Sequence, residues 1–348
     1  MEINLRNSTI DPMLALCKKH KQGNLKREEL ENLLEHEDYQ LELDRYNKEG
    51  GPRGGFTKEE FVDFFMNFFE LNPEEIQNVR LKMRYSYLKE LFDNLDYFCK
   101  QAELVKTITK GHVLKTLQYT QFGLPENIKL ERLDIIFSLG LGPSGGWFYN
   151  NASQYDLIHF FKDFDRDRLL HVIAHESHHI GMGKLYGGID EARITPEEYL
   201  YIFLSGEGLA IKYCNNAEGV LTKKIYNDAS NIAYDEYTME YLRNDFMETF
   251  KRFKEQIEMC RNGQIKTVTE LAPYLAEYWM NLHTHQQDKN EVPKLSASRN
   301  YTFGCEIWGL IYDVFGNWKV FELLNNPKEF PAAFNEALKE IGRTDLYI

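Results

Sequence analysis

Leu169-Leu-His-Val-Ile-Ala-His175-Glu176-Ser-His178-His179-Ile-Gly-Met-Gly183 is the stretch on which the reading of this chain turns. Leu169, Leu170, Val172 and Ile173 give it the apolar faces of a packed helix. Asp163 and Asp165 stand where they can cap that helix and complement its positive end, and Gly181 and Gly183 predict its stop. Residues four apart on a helix are offset by about 40° and about 6 Å. His175 and His179 therefore share a face and can converge on one zinc ion, each at about 2.0–2.1 Å. Glu176 lies about 100° further round, so it reaches the metal's water and not the metal. Two ligands and a base at this spacing are what metal-assisted hydrolysis requires.

A zinc hydrolase needs a third protein ligand and an open fourth position. The pattern that continues with glycine and a third histidine is excluded, because Met182 and Leu185 occupy those places. The alternative is an acid from a following helix. Thr195-Pro-Glu-Glu198 is a capping box with proline at the first helical position, and it opens a helix predicted over 196–214. Within it, Ser205-Gly-Glu207-Gly-Leu-Ala210 sets an acid among Leu204, Leu209 and Ile211, where a carboxylate needs a partner. The small residues beside Glu207 suggest close approach to the zinc helix. Glu191, Glu197 and Glu198 compete for the role, but a loop or first-turn position suits exposure or capping better. His171 reads as packed or as a support to His175, and His178 as a core or cleft residue. His283-Thr-His285, before a polar loop, reads as coincidence.

The His175-Glu176-x-x-His179 motif, followed by Glu207 within Gly-Glu-Gly-Leu-Ala, resembles the gluzincin metallopeptidases. More narrowly, the chain is similar to an uncharacterised bacterial group of zinc-dependent peptidases, specifically over about 166–216 and more loosely over about 130–325. The resemblance implies Zn2+ held by His175, His179 and Glu207, with Glu176 as general base. The thermolysin-like pattern has Asn before the glutamate ligand and Asp four residues after it; Gly206 and Ile211 stand there in this chain. Such enzymes add a hydrogen-bond donor for the oxyanion, and Tyr301, ahead of small residues at a predicted helix start, is the candidate, with packing as its alternative role. They also align substrate along an edge strand, for which Ser144-Gly-Gly-Trp147 is the candidate, a glycine turn between two strands being its other reading.

Outward from this core, the fold class reads as α+β and mostly helical: a gluzincin-like catalytic unit with a small β-sheet and an N-terminal helical region. The expected division is 1–125 and 126–348. The first third reads as helices, with caps at Asp11 and Asn24, a capping box at Thr57-Lys-Glu-Glu60 and a helix running from Asn72-Pro73 to about Cys99. The glycine-rich 50–55 segment reads as a surface loop. Leu133–Leu139, Trp147–Tyr149 and Tyr155–Phe160 are strand candidates, and helix resumes from about 166.

The 348 residues, 43% hydrophobic and 14% aromatic, suffice for a large core. The net charge of −13 disfavours nucleic-acid and membrane-surface partners; a peptide or protein substrate is what the resemblance to zinc peptidases implies. Five scattered cysteines suggest free thiols in a reducing, cytoplasmic setting. Oligomeric state is open at this level. Two other readings stay open as well: a non-enzymatic module with structural or vestigial zinc, and a zinc hydrolase of a non-peptide amide.

Overall fold

The computed structural model describes residues 1–48, 55–161, 165–187, 193–226, 235–280 and 297–348. Gly50–Gly54, Asp163, Glu191, His283 and His285 lie outside the described residues. The protein is α+β and mostly helical, with one four-stranded sheet among the described residues. The chain divides into two compact units, one of residues 1–116 and 130–180, the other of 117–129 and 181–348.

The first unit carries strands β1 (Glu2–Arg6), β2 (Arg132–Ser138), β3 (Gly146–Tyr149) and β4 (Ala152–Asp156). They lie in the order β1-β2-β4-β3, with β1–β2 and β2–β4 parallel and β3–β4 antiparallel. The same unit holds α1 (Ile10–Lys21), α2 (Arg27–Leu34), α3 (Glu37–Lys48), α4 (Lys58–Met66), α5 (Val79–Asp93), α6 (Leu95–Val105) and the start of α7 (Lys110–Phe122). Short α8 (Leu157–Phe161) and α9 (Arg166–Tyr186) follow the sheet.

Several local expectations hold. Thr57 accepts from the Glu60 amide while Glu60 accepts from the Thr57 amide, so α4 opens with the expected reciprocal cap. Others are corrected. The opening residues form a strand, because Ile3 and Leu5 pair with β2, about 130 residues away. The helix expected from Asn72 starts instead at Val79, where the Asn78 side chain accepts from the amides of Arg80 and Leu81; Asn72 caps only a single turn. The strand expected over 155–160 ends at Asp156, whose side chain accepts from the Ile158 amide and turns the chain into α8.

The second unit is built on α10 (Pro196–Ala210), continued by a π-helical turn to Asn215, with α11 (Glu236–Asn244), α12 (Phe246–Arg261), α13 (Val268–Tyr274), α14 (Arg299–Phe315), α15 (Asn317–Asn325) and α16 (Phe330–Glu340). α10 and α14 form its centre. A Cβ on Gly208 would lie 2.2 Å from the Gly304 carbonyl carbon, so only glycine permits this backbone approach. Buried Trp308 donates its indole N–H to the Tyr201 carbonyl at 3.0 Å, and Phe330 packs on both rings. No helix among the described residues is long and apolar enough to cross a membrane.

Candidate metal centre

α9 begins as expected at one of its two proposed caps: Asp165 accepts from the amides of Asp167 at 2.8 Å and Arg168 at 3.2 Å. Its end differs. The helix runs through Gly181 and Gly183 to Tyr186. The absent side chain of Gly181 serves packing, since a Cβ there would meet Leu124 Cδ1 at 2.4 Å.

Four-residue spacing brings the two histidines together. The Nε2 atoms of His175 and His179 lie 2.9 Å apart, with the rings nearly perpendicular at 79°. His175 is buried and His179 half-buried. One ligand atom each from His175, His179 and Glu207 all fall within 4.8 Å of one another. Two imidazole nitrogens and one carboxylate oxygen form a donor set that suits zinc. The residues present therefore fit the metal.

The competing acids near Glu207 have other work. Glu197 binds the Arg261 guanidinium at 2.7 Å and accepts from the Tyr201 hydroxyl, while Glu198 closes the α10 capping box with Thr195. The glycines flanking Glu207 differ from expectation. Gly208 serves the contact with Gly304, and a Cβ on Gly206 would meet nothing within 4 Å among the described residues.

Strand β3 closes on the same helix. A Cβ on Gly146 would stand 3.3 Å from Glu176 Oε1 and 3.4 Å from Val172 Cγ1, so the bare backbone passes directly over the carboxylate. Phe148, two residues along and hence on the same strand face, stacks on the His179 imidazole with centroids 5.3 Å apart. β3 is a terminal strand of the sheet, so the Ser144–Trp147 segment leads into an edge. Burial, and after it the Glu176 charge, pushes the Tyr155 phenol well above its ordinary range.

Tyr301 lies in the first turn of α14 and packs against Ile211, Ala217 and Cys305. His178 is fully buried and His171 half-buried on α9. Sequence reasoning missed Phe148. Its one advance signal is the two-residue spacing from Gly146, which fixes a shared face but not what that face meets.

No curated protein and no solved structure matches the chain. A family model does, over residues 30–342, under the description "putative zinc dependent peptidase" (DUF5700), and the chain belongs to that family.

Proposed function

We propose that this protein hydrolyses peptide bonds with a zinc ion held by His175, His179 and Glu207, and with Glu176 as general base. The observation that carries this reading is the gathering of those three ligand atoms within 4.8 Å, with Glu176 next to His175 on the same helix. Membership of a zinc peptidase family supports it, as does the resemblance to gluzincins. When bound, zinc polarises the scissile carbonyl and brings the pKa of its water to about 7.

The chain supplies the rest. Glu176 accepts a proton from the attacking water and returns it to the departing amine. β3 runs past Glu176 at Gly146 and is a terminal strand of the sheet, so an extended peptide can pair with its outer edge through main-chain hydrogen bonds. The Tyr301 hydroxyl donates to the oxyanion as it develops. Phe148, stacked on His179, restrains that imidazole in its orientation.

The test is metal analysis beside a peptide-library digest of the wild type and Glu176→Gln. The expected result is about one zinc per chain in both proteins, with turnover lowered by about 10²–10⁴-fold in the variant. Undiminished cleavage by Glu176→Gln removes the base from the scheme. A wild type that holds stoichiometric zinc and cleaves no peptide refutes the peptidase reading.

A further inference from the structure

Two N-terminal helices, α3 and α5, converge on one short segment, residues 139–147, which leads into β3 beside Glu176. The Tyr39 hydroxyl of α3 donates to the Leu139 carbonyl at 3.1 Å. Glu42, also on α3, accepts from the amides of Leu141 at 2.9 Å and Gly142 at 3.2 Å. Its other carboxylate oxygen accepts from Gln154 on β4 at 2.9 Å. Arg84 of α5 bonds the Gly140 carbonyl and pairs with Asp156, and Asp156 in turn accepts from the Gly140 amide at 2.9 Å. Arg84, Glu42 and Asp156 are almost wholly buried. At the far end of the segment, Arg45 donates to the Ser144 hydroxyl at 3.1 Å and lies over the Trp147 ring at 4.6 Å. Trp147 sits between Gly146 and Phe148, the two β3 residues that meet Glu176 and His179.

We propose that α3 and α5 form a clamp that fixes the position of β3 over the catalytic helix, with Arg45 as its positioning residue. This rests on the zinc peptidase reading for its consequence in catalysis, though the clamp itself is a property of the fold. The fully buried Arg84–Asp156 ion pair and the hydrogen-bonded Glu42 carboxyl hold the start of the segment rigidly, because any displacement would leave a buried charge or polar group without its partner. The other end depends on one half-buried guanidinium, which reads the strand through a hydroxyl and an indole face. A substrate paired to β3 would thus take its height above Glu176 from Arg45.

Arg45 is the residue to alter, since it is only half-buried and meets the segment at Ser144 and Trp147. Arg45→Ala and Arg45→Lys are compared with the wild type in the full-length, zinc-loaded protein. Three quantities are read: amide hydrogen exchange over 141–149, zinc content, and kcat and KM on a quenched-fluorescent peptide drawn from the library digest. A lost hydrogen bond and cation–π contact together correspond to about a tenfold effect. Arg45→Ala is therefore expected to speed exchange over 141–149 and to raise KM by about that factor, with kcat within about twofold and zinc content unchanged. Arg45→Lys, which keeps the cation, recovers part of both. Unchanged exchange over 141–149 in Arg45→Ala overturns the clamp, and so does faster exchange with an unaltered KM. If the wild type cleaves no peptide, the peptidase reading fails, while the exchange data still decide whether Arg45 holds the strand.

Discussion

The Nε2 atoms of His175 and His179 face each other at 2.9 Å, a separation that admits one shared proton or one shared Lewis acid. With the Glu207 carboxylate within 4.8 Å, the second alternative has its third donor. Removing a direct ligand should weaken binding more than removing an outer-shell partner, for which 10–100-fold is typical. His179→Ala and Glu207→Gln are therefore each expected to lower zinc affinity by more than about 100-fold, as read by competition with a chelating dye. Wild-type affinity in Glu207→Gln would end the assignment of that carboxylate.

The approach of β3 to Glu176 gives a prediction at a residue with no side chain. Gly146→Ala places a methyl 3.3 Å from Glu176 Oε1 and 3.4 Å from Val172. Those contacts are tight enough to push the carboxylate by a few tenths of an ångström but not to unfold the strand. A misplaced general base loses rate and leaves metal binding alone. The variant should retain its zinc and its melting temperature, with kcat lowered about 10–100-fold. Wild-type kcat would show that the methyl fits without moving Glu176.

How much of this was legible in advance follows from the range of the interactions. The cap at Asp165, the Thr195–Glu198 box and the spacing of His175 and His179 are local, so the sequence carries them directly. Strand β1 was not legible, because five residues of mixed polarity become a strand only through pairing with β2. The Glu42–Arg84–Asp156 cluster joins residues 42 or more positions apart, and nothing local marks any of them. Glycine misled twice for one reason. Gly181 and Gly206 were read through backbone freedom or helix approach, whereas Gly181 makes room for Leu124 and Gly208, not Gly206, carries a helix contact. A glycine's partner is a tertiary fact, which the sequence does not contain.

Tyr301 allows the hydroxyl and the ring to be separated. The ring packs against Ile211, Ala217 and Cys305, so Tyr301→Phe should preserve that cluster and the stability of the second unit. If the hydroxyl stabilises the oxyanion, its loss lowers kcat about 10²–10³-fold with little change in KM. A kcat within a few-fold of wild type would assign Tyr301 to packing alone.

Glu42 supplies a pH dependence that can be isolated. Burial above all, and then the Asp156 charge, pushes its carboxyl up to about 7, against the Leu141 and Gly142 amides and Arg84, which favour the ionised form. Its ordinary value in the unfolded chain is near 4.5. Between these values the folded chain holds a proton that the unfolded chain releases. The stabilisation this confers is complete below about pH 4.5 and is lost as pH rises through about 7, an effect on the order of 3 kcal/mol. Glu42→Gln keeps an oxygen for the two amides, and Gln154 can turn its amide to accept from the new NH2, since its oxygen has no hydrogen-bond partner among the described residues. The variant therefore removes the titration without emptying the site. Its stability relative to wild type, read from urea unfolding at several pH values, should rise between pH 5 and pH 8. A wild-type-minus-variant difference that stays flat across that window would place the Glu42 titration elsewhere.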